Sequence, residues 1–471
     1  MIQKLKLDEN QLQTPNGLVI TLTPMQTEGV REIKKWLKDK TSPFFTLGGV
    51  AGSGKTTVIK KVIDDYFGSV VVSAPTHKAK KKVASTTGKR AETLHSICGL
   101  RPDLELDSFN PNNPIFNPIA KPIINLIDFL IIDEASMINE GFLNLIRKQV
   151  QNKKVKILFM GDDAQIPPIG EEMSAVFVAP DIKMFWLSEI MRQSYNNPIT
   201  KVYDHLRNNL ENYDPIIRET MLNDNQEGII FMNKKQDYRR EVFAKYGSEN
   251  FKKDYDFVKI IGWRNTTIGL ANTIVRGHLF PNKRDIIEVG DVLMGYRNIM
   301  ADRMRYNIIE NSCDYRVVKK SELIKNEHDI WGYNVSLRED LINNEYAYRK
   351  VFIVKHDDID NFHKYGDYHD YYKIQAIRNK KLWKKYYAFR RENIILSDLY
   401  TYKPNQERVP EDVIVKDLDF GYAITAHKSQ GSTYEHAFIL EDDMDANPKI
   451  KERNQIKYVG ITRPSKRCYL I

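Results

Sequence analysis

The sequence predicts an α/β protein of two parallel-sheet domains, the second split by an inserted, partly β domain. Three observations carry that prediction. The chain has 471 residues, more than one hydrophobic core ordinarily serves, so two or more domains are expected. Residues 23 to 190 alternate helical patterns with the short apolar runs Phe44–Leu47, Val70–Ser73, Phe129–Ile132 and Val155–Met160. Continuous β-branched and aromatic runs without polar alternation read as strands buried on both faces. The same signature returns at Phe257–Ile261, Ile414–Val415, Ala437–Leu440 and Tyr469-Leu470-Ile471. Between the returns, residues 290 to 408 are rich in Tyr, Lys and Asp, with alternating segments at Val317-Val318 and Tyr333–Leu337 and then a helical, aromatic-basic stretch.

The opening residues Met1-Ile2-Gln3-Lys4-Leu5-Lys6 lack the apolar stretch of a signal peptide. At Thr23-Pro24-Met25-Gln26 two compatible readings stand open. Thr23 as N-cap, Pro24 at the first helical position and Gln26 three residues on form a capping box, and a glutamine amide can also pair with an adenine edge. Gly49-Val50-Ala51-Gly52-Ser53-Gly54-Lys55-Thr56 then matches GxxxxGK[ST] after a strand ending at Leu47 and before a helical pattern starting near Thr57. The glycines let backbone N–H groups wrap a phosphate chain at a helix N-terminus. Lys55 would reach the β- and γ-phosphates and Thr56 would ligate Mg²⁺, so ATP and Mg²⁺ are the expected cofactors.

Residues 98 to 123 break the pattern with Pro102, Pro111, Pro114, Pro118 and Pro122, and read as a short hairpin or irregular insertion in the first domain. Asp133-Glu134 closes the strand Phe129–Ile132. Alone such a pair reads equally as a solvated turn. After a phosphate loop, one carboxylate is expected toward the metal and the other toward the attacking water. Gly161-Asp162-Asp163-Ala164-Gln165 follows the next strand, where Gln165 could orient water or bond the γ-phosphate, or serve as a polar loop residue.

Apolar residues make up 42% and charged residues 28%, a globular composition, and no apolar run approaches the roughly 20 residues of a bilayer span. Cys98, Cys313 and Cys468 are widely spaced and fit neither a disulfide framework nor a CxxC metal site, which points to a reducing cytoplasm. The net charge of +9 favours polyanionic partners, with solubility as the plainer reading.

Taken in order, these segments resemble the motifs of superfamily 1 helicases, and within them the Dda-type phage helicases and RecD-like relatives. Thr23–Gln26 is similar to the adenine-reading Q motif, Gly49–Thr57 to motif I and Ala74–Ala79 to motif Ia. Thr93–Ser96 is similar to motif Ib, Asp133–Ser136 to motif II, Gly161–Pro168 to motif III and Leu187–Gln193 to motif IV. Asn265, Asn272 and Arg276 fit a weaker motif, Ile424–Gly431 resembles motif V and Tyr458–Arg463 motif VI. The resemblance implies two RecA-like domains with ATP between them. They would be 1A over residues 1–185 and 2A over 186–289 and 409–471, with an SH3-like 2B inserted at 290–408, opening at Glu288–Met294. It implies catalytic roles for Lys55, Thr56, Asp133, Glu134, Gln165, Arg192 and Arg463. It further implies metal ligation by Thr56 and Asp133, and nucleotide contacts from Gln26 and Gly49 through Thr57.

The implied nucleic-acid track is Thr76, His77, Lys78, His95, Ser96, Asn265, Thr425, His427 and Lys428, donors suited to phosphates rather than bases. Lys80, Lys81 and Lys82 extend a basic lip or form a solvated face. Trp383, Tyr386, Tyr387, Phe389, Arg390 and Arg391 stack on bases or pack as an amphipathic helix. In Dda-like enzymes a β-hairpin in the first domain acts as a pin at the fork and the family moves 5′ to 3′. Residues 98 to 123 have that place, with Phe109 and Phe116 as the stacking candidates or as aromatics folded back on the surface.

The resulting expectation is an ATP-dependent DNA helicase acting 5′ to 3′ on single-stranded and forked DNA. It would be monomeric, cytoplasmic and without a membrane, with replication or recombination proteins as partners. An RNA helicase or remodeller and a non-motor P-loop switch are the alternatives.

Overall fold

The computed structural model describes residues 8, 10–13, 19–75, 77–102, 116–118, 122–189, 197–283, 285–301, 307–341, 345–400 and 413–471. It divides into two compact units. One comprises Met1–Leu100, Ala120–Asn233 and Ser429–Ile471, the other Arg101–Ile119 and Lys234–Lys428.

The first unit is built on a six-stranded sheet, ordered Lys183–Leu187, Phe44–Gly49, Lys156–Gly161, Phe129–Ile132, Val70–Ala74 and Ala91–Thr93. Every neighbouring pair in it is parallel. Alternate residues of each strand feed opposite cores, because side chains switch face at every residue. Phe45, Leu47, Phe129, Ile131, Leu158 and Met160 meet Ile33, Trp36, Val58 and Ile59 from the helices Pro24–Lys38 and Lys55–Asp64. Phe44, Leu130, Ile132, Ile157 and Phe159 pack instead with Leu143 and Ile146 of the helix Glu140–Val150. The continuous apolar runs are therefore strands covered on both faces, as the sequence predicts.

The same unit carries a second parallel set, Gly228–Phe231 beside Pro464–Leu470 beside Tyr434–Ile439, with Met221–Leu222 antiparallel at its edge. In the second unit Val258–Gly262 pairs in parallel with Ala423–Thr425. These parallel sheets are those of a two-RecA-like-domain α/β fold. One strand assignment needs correction: Val413–Ile414 pairs antiparallel with Leu399–Tyr400, not within a buried parallel sheet. Its apolar run is too short to distinguish the two environments.

The second unit also holds an antiparallel sheet ordered Ile324–Lys325, Trp331–Asp340, Asp314–Lys320, Val292–Gly295 and Leu418–Phe420, with Tyr346–Val354 on Trp331–Asp340. The helices Ile359–Arg378 and Trp383–Glu392 follow. Tyr365 and Phe389 stack with centroids 5.4 Å apart, and Trp383, Tyr386 and Phe389 are buried. The Arg390 guanidinium is also buried, paired to Asp417 at 2.5 Å. For these four side chains the packing alternative holds, and base stacking is overturned by burial. Leu100–Pro102 and Phe116–Pro118 form a two-stranded sheet. No helix among the described residues is long and apolar enough to cross a membrane.

Candidate nucleotide site and nucleic-acid track

The strand Phe44–Gly49 delivers the glycine loop at its carboxyl end, and Lys55 opens the helix Lys55–Asp64, two residues earlier than the helical pattern suggests. Gly52 and Gly54 take φ of 83° and 80°, which side-chain-bearing residues adopt at a cost. A Cβ on Gly54 would also lie 2.3 Å from Gln26 Nε2. Lys55 Nζ donates to the carbonyls of Gly49 (2.7 Å) and Val50 (3.0 Å). Burial pushes its pKa below the usual lysine value, while the carboxylates of Asp162, Asp133 and Glu134 act in the opposite direction. Acids from two separate sequence segments thus favour the charged form of one ammonium. Ser53 Oγ is buried without a hydrogen-bond partner, within a loop whose backbone suits an anion.

At Gln26 the capping box is realised. Thr23 Oγ1 accepts from Gln26 N and Gln26 Oε1 accepts from Thr23 N, each at 3.2 Å. The Nε2 group donates to Ser53 O at 3.1 Å. The amide thus ties the first helix to the glycine loop.

Asp133 follows the buried strand Phe129–Ile132, and its backbone N donates to Ser73 O at 2.8 Å. Glu134 has φ 52°, a left-handed conformation unusual for glutamate and of the kind that clusters at functional sites. Gly431, at φ +75°, closes on this place: a Cβ there would sit 2.7 Å from Ala79 Cβ and 3.6 Å from Glu134 Oε1. Gln165 is 6% exposed and its Oε1 has no hydrogen-bond partner. Its backbone carbonyl accepts from Gln455 Nε2 at 3.3 Å, and Ile166 O accepts from Gln430 Nε2 at 3.4 Å. Arg463 is buried and turned toward its own helix end, donating to Val459 O at 2.9 Å, Thr462 Oγ1 at 2.8 Å and Ser432 O at 3.4 Å. Arg192 lies outside the described residues.

Two residues absent from the expected set join this centre. Arg207, from the helix Ile199–Asn208, pairs with both Asp162 and Asp163. Burial alone would lower its pKa, but Asp162, Tyr458 and Asp163 hold it above the ordinary arginine value. Tyr458 donates its hydroxyl to Asp162 Oδ2 at 2.6 Å and accepts from Ala51 N at 3.4 Å. Tyr458 stands in the Tyr458–Arg463 stretch, where the resemblance assigns a role to the arginine alone; Arg207 carries no motif.

On the track, Thr76 lies outside the described residues, and His77 opens the helix His77–Thr87 with its side chain outside them. Lys78 Nζ sits 4.9 Å from the Tyr434 ring centroid. His95 and Ser96 lie on the short helix Leu94–Ile97, where Thr93 Oγ1 accepts from Ser96 N. In the second unit Asn265 is the exposed first residue of the helix Asn265–Leu279. Thr425 Oγ1 accepts from Lys428 N at 3.3 Å, and His427 is exposed. Lys428 Nζ stands 3.9 Å from the Tyr296 ring centroid and donates to Asn311 Oδ1 at 3.1 Å. Burial, aided by Lys416, pushes its pKa down to about 8.

The neighbours of Asn265 are structural. Asn272 exchanges hydrogen bonds with both backbone groups of Ala423, and Arg276 pairs with Asp291 at 3.0 Å. Phe109 lies outside the described residues, as does the Phe116 side chain.

A phosphate loop, a strand-end acid pair and a buried glutamine on one parallel sheet define a P-loop ATPase. An AAA domain model matches residues 21–223 and a UvrD-like helicase C-terminal domain model residues 420–471. An uncharacterised protein of Acanthamoeba polyphaga mimivirus is 23% identical, over 93% of this chain and 97% of that one. The ATP-dependent DNA helicase Dda of Enterobacteria phage T4 is 24% identical, over 94% of this chain and 97% of its own. The solved Pif1 helicase from Bacteroides, in complex with ADP-AlF3 and single-stranded DNA, covers 95% of this chain and 92% of its own with TM-score 0.51 and 18% identity. The chain is thus similar over nearly its whole length to the phage T4 helicase Dda, and shares its fold with the Bacteroides Pif1 helicase.

Proposed function

We infer that the chain is an ATP-dependent DNA helicase that translocates 5′ to 3′ on single-stranded DNA and opens duplexes. The observation that carries this reading is the convergence on one parallel sheet of the glycine loop, with Lys55 Nζ on the Gly49 and Val50 carbonyls, and of the Asp133-Glu134 pair at another strand end. Hydrolysis needs that convergence, whereas a glycine turn beside an ordinary lysine does not. Lys55 exchanges its loop carbonyls for phosphate oxygens when nucleotide enters. Glu134 serves as general base and Gln165 positions the attacking water through its unpartnered oxygen. Thr56 and Asp133, a hydroxyl and a carboxylate, suit Mg²⁺, which would neutralise phosphate charge. Arg192 and Arg463 supply the cations for the transition state, Arg463 by turning from its helix end.

The domain assignment follows the same reading, with 1A at 1–185, 2A at 186–289 and 409–471, and an SH3-like 2B at 290–408. The track residues grip phosphates, and the segment at 98–123 separates strands. The protein works as a monomer in the cytoplasm, on single-stranded and forked DNA, alongside replication or recombination proteins. DNA is favoured over RNA because the full-length relative is named a DNA helicase and a fold neighbour was solved with single-stranded DNA. Hydrolysis measured with single-stranded DNA, with RNA and with no polymer tests this directly. DNA should stimulate most. Equal rates in all three would leave a non-motor switch, and preference for RNA would leave a remodeller.

A further inference from the structure

Asp162 is completely buried and receives three donors: Arg207, the Tyr458 hydroxyl at 2.6 Å and Ala164 N at 3.1 Å. A buried ion pair is weak support for stability by itself, because desolvation offsets much of its attraction. Its surroundings point to another role. The Tyr458 hydroxyl, while donating to Asp162, accepts the N–H of Ala51 at 3.4 Å, and the Ala51 carbonyl accepts from the Tyr203 hydroxyl at 3.4 Å. Ala51 is in the glycine loop, so its N–H belongs to the set that faces a bound phosphate chain. On the other side, Asp162 O accepts from Gln165 N at 3.2 Å, three residues along. Arg207 adds a second line to the loop. Its guanidinium lies 5.2 Å from the Trp186 ring centroid, and that ring covers Gly48 so closely that a Cβ there would be 2.1 Å away.

We propose that Tyr458 and Arg207 are positioning residues that register the phosphate loop against the Asp162–Gln165 segment. Through them, phosphate binding at Ala51 is felt at the glutamine that orients water. The loop N–H leaves Tyr458 for a phosphate oxygen, and the hydroxyl keeps its bond to Asp162. The carboxylate, clamped by Arg207, holds Gln165 at a fixed distance from the phosphate. Neither residue touches substrate; both act through groups that do. This inference rests on the functional reading above and adds to it a link between the C-terminal segment and the hydrolysis centre.

The experiment is steady-state ATPase on saturating single-stranded DNA for wild type, Tyr458→Phe, Asp162→Asn and the double variant, with thermal melting of each. Tyr458→Phe keeps the ring and removes two hydrogen bonds, the one donated to the Asp162 carboxylate and the one accepted from Ala51 N. It should lower kcat about tenfold while the KM for ATP stays within about twofold and melting falls by only a few degrees. The double variant should be no slower than Asp162→Asn alone, since both changes break one connection. Arg207→Lys, which keeps the charge, should retain more activity than Arg207→Met. Wild-type kcat in Tyr458→Phe would overturn the proposal, as would losses that multiply in the double variant. If Asp162→Asn fails to fold, the kcat-against-KM split of Tyr458→Phe decides alone. An inactive wild type would instead refute the functional reading, so the two failures are told apart.

Discussion

Lys55 Nζ is held by two loop carbonyls, and Asp162, Asp133 and Glu134 favour its charged form against burial. Lys55→Ala should abolish hydrolysis while leaving melting and single-strand binding nearly unchanged, which filter binding and calorimetry would check. Glu134→Gln should retain ATP binding and slow turnover by roughly 10²–10⁴, readable by nucleotide titration beside single-turnover kinetics. Lys428 offers a pH test. Its pKa of about 8 means that it carries charge below that pH and loses it above. Phosphate contacts made by Lys428 should weaken as pH rises through about 8 toward 9, and Lys428→Arg, charged throughout, should flatten the profile. Stability runs the opposite way. The folded pKa lies below the unfolded value, so this group's contribution rises with pH between about 8 and the ordinary lysine value.

Among the elements, the sheet strands at Phe44–Gly49, Phe129–Ile132 and Lys156–Gly161 were legible because burial on both faces demands unbroken apolar runs. The edge strand Lys183–Leu187 was not: it pairs on one side only and its first two residues are exposed. Asn272 and Arg276, which fit a weaker motif by spacing, serve a backbone group and a buried acid in the fold. In the site, the loop and acid pair could be read because their ligand contacts need fixed local spacing. Arg207 and Tyr458 could not, since their partner Asp162 lies 45 and 296 residues away in sequence. The aromatic helix pair gives an element-scale prediction. Phe389 is 2% exposed, so Phe389→Ala should cost about 3–5 kcal/mol in unfolding free energy. Single-strand affinity, measured where the variant remains folded, should not change. A selective loss of affinity with intact stability would restore base stacking for this helix.

For the whole molecule, a net charge of +9 and the proposed track of hydroxyl, amide and lysine donors fit a protein that would grip the DNA backbone rather than its bases. Single-strand affinity should fall steeply and linearly on a log–log scale as salt rises, with little dependence on base composition. Lys78→Ala should reduce that slope by about one ion-release unit across all sequences. The central claim is directional motion coupled to ATP. It is tested most directly by strand separation on one duplex carrying either a 5′ or a 3′ single-stranded tail, with ATP, using the wild type and Lys55→Ala. Opening of the 5′-tailed duplex by the wild type alone is the predicted result. Efficient opening from the 3′ tail only, or opening by Lys55→Ala, would contradict it.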